Sequence, residues 1–310
     1  MIGGILEIAQ NDRYLFKHRG FAVISDKDRE LGRIPFGDLT AVILSGHQIT
    51  VSTSILGAFM DNGVTVVTCG GNCHPEGMML PISGHHRQAG ILREQIGLSE
   101  PRRKRLWQNI VRVKIEHQSL ILAAHGSENS KAGALKQLAK RVKSGDPDNL
   151  EAQAARLYWP DLMGRDFRRK TDMPGLNGFL NYGYAVLRAA TARAVVAAGL
   201  APSMGLNHRS QLNGFALVDD LMEPYRPLVD SCVRALRLEL STDRSDAPPE
   251  LTPDIKRALV AVLRRDCLGE KGMSPLANCL HVMARSLVSC LTDKDVNLVI
   301  PGLPPPDRLL

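Results

Sequence analysis

The sequence predicts an α+β fold: a small N-terminal β-rich domain over 1–70, followed by a larger all-α helical domain over 88–300. Three observations carry this. Short β-branched or aromatic runs bounded by Gly, Asp and Asn are confined to the first part of the chain. A Gly- and Pro-rich stretch then reads as a linker over 71–87. Beyond it, apolar residues recur at helical spacing in one segment after another.

The expected strands are Tyr14-Leu-Phe, Phe21-Ala-Val-Ile, Thr40-Ala-Val-Ile-Leu and Val64-Thr-Val-Val-Thr. Ser52 to Met60 has near-helical spacing and predicts one embedded helix. In the second part, 88–96, 104–122, 133–143, 149–158, 178–199, 219–240, 253–268 and 275–291 have helical period and predict a bundle. Residues 301–310 form a proline-rich tail, expected to be mobile. No internal repeat is present.

The chain has 310 residues, 44% hydrophobic and 23% charged, enough to bury a substantial core. The most apolar stretch, Ala189 to Leu200, carries Arg193 and is too short to span a bilayer. The start, Met1-Ile-Gly-Gly-Ile-Leu-Glu, lacks the pattern of a secretion signal, so a cytoplasmic protein with no membrane partner is expected. Six sparse cysteines exclude a disulfide framework. A net charge of +7 and a pI near 9.2 point to an anionic partner.

The positive charge is clustered. Arg102-Arg103-Lys104-Arg105 leads into Trp107, Arg112 and Lys114; Lys131 to Lys143 form a second group; Arg165 with Arg168-Arg169-Lys170 forms a third. Each cluster alone reads as a solvated helix face, but the three bracket Glu151, which favours a phosphate-binding surface.

Two segments carry candidate metal chemistry. In Asn149-Leu-Glu-Ala-Gln-Ala-Ala-Arg-Leu-Tyr-Trp-Pro, Glu151 sits among alanines that allow another helix to approach; as a first-turn Glu it also suits a helix dipole, and locally that reading is the stronger. From Gly205 to Pro227, His208 lies among polar residues, and Asp220 and Glu223 are three apart, on one face of a helix. Two such acids repel unless a cation or Arg226 relieves them. Mixed oxygen and imidazole donors suit Mn²⁺ and, more weakly, Mg²⁺. Helix capping by Asp219 or Asp220 and an ordinary loop histidine explain the segment about equally well, and Pro224 counts against an unbroken helix.

Other chemistry lacks a signature. Cys69-Gly-Gly-Asn-Cys73-His74 has the wrong spacing and no second cysteine pair for zinc. No P-loop, dinucleotide fingerprint or nucleophile elbow occurs. Tyr158, Tyr182 and Tyr184 read as core aromatics rather than recombinase nucleophiles.

Together these segments resemble the CRISPR-associated integrase, the larger core protein of spacer acquisition, in its type II form. The likeness is densest in Asn207-His208-Arg209, Asn213 and Asp220-Leu-Met-Glu-Pro-Tyr-Arg-Pro. It extends in order through His74-Pro75 to Leu80-Pro81, His85-His86-Arg87-Gln88, Trp107 to Gln118, Glu151 to Trp159 and Asn177 to Leu187. The resemblance implies a β-rich dimerisation domain joined to a helical catalytic domain. It implies metal ligands at Glu151, His208 and Glu223, with Asp220 as an acidic helper and Mg²⁺ or Mn²⁺ as cofactor. The third ligand is Glu where other branches of the family carry Asp.

The implied activity is DNA cutting and joining, in which a 3′-hydroxyl attacks a phosphodiester to insert spacer DNA into a CRISPR array. The implied partners are spacer and repeat DNA, a second copy of the chain, a small second adaptation protein bridging two dimers, and the type II effector machinery. Arg102, Arg103, Lys104, Arg105, Arg165, Arg168, Arg169, Lys170, Arg209 and Arg226 are the expected DNA contacts. A non-catalytic DNA-binding scaffold and a metal-dependent nuclease unconnected with CRISPR are the competing readings.

Overall fold

A computed structural model describes residues 4–70, 75–82, 85–126, 131–170, 173–208, 210, 212–240, 249–270 and 272–309. The N-terminal part contains β1 (Gly4–Ile8), β2 (Arg13–His18), β3 (Phe21–Ser25), β4 (Glu30–Pro35), β5 (Leu39–Leu44), β6 (Ile49–Val51), α1 (Thr53–Asp61), β7 (Thr65–Cys69) and β8 (Pro75–Met79). They form two four-stranded sheets, ordered β1-β5-β7-β8 and β4-β3-β2-β6. In the first, β1, β5 and β7 are parallel and β8 is antiparallel.

The four expected strands correspond to β2, β3, β5 and β7, and the embedded helix is α1. The others escaped the pattern for local reasons. β4 is an edge strand with exposed alternate residues and carries Gly32 and Pro35. β8 lies inside the stretch read as a linker and pairs with β7.

β5 reads as a continuous apolar run because both faces are covered. Val42 joins the core beneath α1, while its neighbour Ile43 faces the helical part; Val66 and Val67 on β7 divide in the same way. A polar tie joins the two parts at Glu7, which accepts hydrogen bonds from Tyr182 Oη (2.7 Å), Lys256 Nζ (2.7 Å) and Ser45 Oγ (2.6 Å).

The helical part comprises α2 (Gln88–Gly97), α3 (Glu100–Ala124), α4 (Ala132–Arg141), α5 (Leu150–Met163), α6 (Leu176–Ala197), α7 (Ala216–Met222), α8 (Arg226–Leu240), α9 (Pro253–Ala261) and α10 (Leu276–Thr292). α6 is central and buried on most sides. Its Gly183 lets α8 come close, since a Cβ there would run into Val229 Cγ1.

Three expectations change here. The segment 219–240 is not one helix: α7 ends in a 3-10 turn, Glu223–Tyr225, before α8 begins. Pro224 has no N–H to give the α-helical ladder, and the tighter turn accommodates it. The segment 253–268 ends early and gives way to a hairpin, β9 (Asp266–Gly269) with β10 (Gly272–Pro275), so the second part is not wholly helical.

The proline-rich end is docked rather than mobile. Leu303 and Leu309 are buried, Gly302 pairs with Leu268, and Tyr225 Oη donates to Pro301 O at 3.1 Å. Its leucines are covered and its carbonyls meet buried donors, which outweighs the composition. Among the described residues, no helix is long and apolar enough to cross a membrane.

Candidate metal centre and nucleic-acid interface

One face of α3 underlies the site. Trp107, Lys114 and His117 repeat at helical spacing. Trp107 meets the His208 ring edge-on at a centroid distance of 6.1 Å. His117 Nδ1 donates to Pro224 O at 2.6 Å and so fixes the 3-10 turn from below. Burial, opposed by that hydrogen bond, pushes the His117 pKa down to about 4, which keeps the ring neutral at neutral pH.

Lys114 brings two of the expected ligands together. Its Nζ lies 2.5 Å from Glu151 Oε1 and 2.5 Å from Glu223 Oε2. Glu151 is in the first turn of α5, whose leading amides are capped by Asp146 and Asn149. It is therefore both the first-turn acid that local sequence favoured and a member of the cluster. Glu223 is 4% exposed on the 3-10 turn, with Arg226 Nε 3.1 Å from its Oε1.

Burial raises the Glu223 pKa, but Lys114 and Arg226 outweigh it and hold the carboxyl below its ordinary range. Burial likewise lowers the Lys114 pKa, and Glu223 and Glu151 reverse it, leaving the ammonium above its ordinary value.

His208 sits on the adjoining loop, held by Asp220. Asp220 Oδ1 accepts from His208 Nδ1 at 2.6 Å, and Oδ2 accepts from the amides of Leu206 (2.6 Å) and Asn207 (3.0 Å). A carboxylate only accepts, so Nδ1 carries the proton and Nε2 of the neutral ring keeps a free lone pair. Gly205 makes this closure possible, because a Cβ there would collide with the His208 carbonyl and crowd Ala216 Cβ at 2.9 Å.

The Asp219-Asp220 doublet separates cleanly. Asp219 binds Arg188 at 2.6 and 2.9 Å and Asn213 at 2.8 Å, away from the histidine. Asp220 alone orients the imidazole.

The donor set fits a hard divalent cation: two carboxylates converge, and an imidazole is pinned by an acid, as metal-ligating histidines usually are. Glu223 Oε2 is buried, with the Lys114 ammonium 2.5 Å away as its charged neighbour. Among the described residues, no three His, Cys, Asp or Glu side chains close into a metal cluster. The carboxylate pair meets at Lys114, and His208 is its electrostatic neighbour.

The expected DNA contacts divide. Lys104, Arg105, Arg165, Arg168 and Lys170 are exposed, and Arg103 lines a cavity of about 300 Å³ beside His208. Arg102 is engaged within the protein: its guanidinium donates to the carbonyls of Cys290, Asp293 and Val296 and closes the end of α10. Arg169 is likewise engaged, donating to Asn177 and Asn181. Arg226 is held between Glu223 and the Tyr184 ring. Arg209, Cys73 and His74 lie outside the described residues.

The reading from sequence did not single out His117 or Arg188 and counted Lys114 only as part of a basic cluster. A basic or imidazole residue at a helical core position was the signal available for Lys114 and His117.

This arrangement defines a protein with a β-rich N-terminal part and a basic helical part that carries a carboxylate–histidine site. Residues 6–250 match the family model of CRISPR associated protein Cas1. The CRISPR-associated endonuclease Cas1 of Neisseria meningitidis serogroup C (strain 8013) is 37% identical over 284 residues, covering 91% of each chain. The chain belongs to the Cas1 family.

Its fold is also that of a casposase bound to integration product (TM-score 0.79, 19% identity, 97% of this chain and 93% of that one). A chain of a Cas6-RT-Cas1–Cas2 complex superposes with a TM-score of 0.76 at 19% identity, covering 96% of this chain and 36% of that one.

Proposed function

We propose that the protein is a metal-dependent DNA endonuclease and integrase that inserts spacer DNA into a CRISPR array. The observation that carries this is the meeting of Glu151 and Glu223 from separate elements, next to a histidine oriented by a buried acid. Family membership and the relatives named as endonuclease and casposase support it.

Glu151, Glu223 and Nε2 of His208 would hold Mg²⁺ or Mn²⁺, which when bound supplies Lewis-acid stabilisation of charge on a phosphodiester oxygen. Asp220 fixes the tautomer of His208. Arg226 keeps Glu223 ionised. The exposed arginines and lysines hold the DNA backbone through its phosphates. In joining, a DNA 3′-hydroxyl attacks the phosphorus, one phosphodiester forms as one breaks, and the hydroxyl proton passes to solvent as the departing oxygen is protonated. The exchange is nearly energy-neutral, consistent with a chain that carries no nucleotide-binding motif.

The small second adaptation protein is the expected bridge between two homodimers built through the β-rich domain, and the type II effector machinery is a further proposed partner. The Cas1–Cas2 complex among the fold neighbours supports the first of these.

The test is strand joining by purified protein on a repeat-containing plasmid, with and without that partner. Joining is expected to need a free 3′-hydroxyl and to stop with EDTA; joining of 3′-blocked duplexes, or joining that survives EDTA, would sink the proposal. Activity is also expected to fall with pH, because only neutral His208 can ligate. The Asp220 hydrogen bond, ahead of the opposing burial, raises the His208 pKa, so the loss should begin above the ordinary 6.5.

A further inference from the structure

Lys114 has the form of a built-in substitute for a metal ion. A buried ammonium is costly unless paired, and two carboxylates held this close would repel without a cation between them. The Lys114 side chain is 14% exposed and contacts both, Glu151 from α5 and Glu223 from the 3-10 turn. It stands 2.5 Å from Glu223 Oε2 and 2.5 Å from Glu151 Oε1, so one ammonium occupies the place between the two carboxylates that a compact cation would take. The lysine stem is flexible and can withdraw. Arg226 differs: its guanidinium is stacked 4.9 Å from the Tyr184 ring centroid and faces the other carboxylate oxygen of Glu223, so it remains when Lys114 leaves.

We infer that Lys114 is a resident counter-ion, a positioning residue that holds Glu151 and Glu223 together in the metal-free protein and yields its place when a divalent cation binds between them. This rests on the reading of Glu151, His208 and Glu223 as metal ligands. It adds that the two carboxylates are paired before metal arrives, and that metal affinity is set by competition with an internal ammonium.

The test uses full-length protein stripped of metal, titrated with Mn²⁺ and followed by electron paramagnetic resonance, with melting temperatures measured in parallel. K114M is expected to melt lower than wild type without metal, to recover with Mn²⁺, and to bind Mn²⁺ about tenfold more tightly. K114R, which keeps the charge, is expected to bind no more tightly than wild type.

If K114M folds only when Mn²⁺ is present, the ion is replacing the ammonium, as inferred. K114M that binds Mn²⁺ with wild-type or weaker affinity overturns the inference, as does K114M that stays unfolded in Mn²⁺. Wild-type protein that binds no Mn²⁺, with E223Q indistinguishable from it, overturns instead the metal assignment on which the inference rests.

Discussion

Around Glu223 every charge is met from within the protein, whereas Arg105, Arg165 and Lys170 face solvent with no carboxylate partner among the described residues. The two regions lie on the same helical domain and are both dense in ionisable groups. In the first, burial makes an uncompensated charge so costly that partners are recruited from three elements. In the second, water and salt screen each side chain, and charge stays free for an external polyanion. The contrast separates residues that build a site from residues that present a surface. It also shows why Arg102, adjacent in sequence to Arg103, belongs with the builders.

The strongest way to break the contrast is to remove one acid. Glu223→Ala or Glu151→Ala is expected to reduce strand cleavage and joining at least about 10³-fold while DNA binding persists, read on labelled duplexes in Mg²⁺ or Mn²⁺. Activity within tenfold of wild type would make the cluster a structural ion pair only.

On the surface side, the triple change Arg165→Ala, Arg168→Ala and Lys170→Ala should lower the slope of log affinity against log salt by about 2 to 3. Arg102→Ala should leave that slope intact and instead cost about 1–3 kcal/mol in denaturant melts, because three carbonyls lose their donor. A reversed pattern would reverse the assignment of the two arginine groups.

The frame behind both regions is tested by Gly183→Ala, expected to destabilise by about 1–3 kcal/mol through its clash with Val229.

A pH-dependent effect concerns Asp230, which accepts hydrogen bonds from Tyr158 and Tyr184. Burial pushes its pKa from 3.8 up to about 7, with both tyrosine hydrogen bonds opposing the rise. The folded protein thus holds this proton more tightly than the unfolded chain. The resulting stability is present below about pH 4 and is lost as pH rises through about 7. Asp230→Asn should flatten the melting temperature across that window; an unchanged slope would assign the pH dependence to other groups.

Much of this was legible in the residues alone. The β-branched runs marked the central strands, because a strand buried on both faces must be apolar throughout. The periodic segments marked the helices, and Pro224 counted against an unbroken one over 219–240, but the 3-10 turn that carries Glu223 was not read from the sequence. Edge strands and the hairpin were not legible, since β4 and the β9–β10 pair carry the Gly, Pro and polar residues that also make turns. The docked proline-rich end was misread because composition reports the backbone's freedom and is silent on which core surface it can cover.

The sequence by itself determined an α+β chain with a basic helical part and an acid–histidine segment that metal binding and helix capping explained about equally well. Only the tertiary structure decided which charges meet. It gave Asp219 to Arg188 and Asp220 to His208. It turned Lys114 inward from a basic run and drew Glu151 to Glu223. The physical reason is that periodicity fixes which face of a helix a residue occupies, whereas the partner across that face comes from a distant element. At buried positions, the cost of an unpaired charge then decides the pairing.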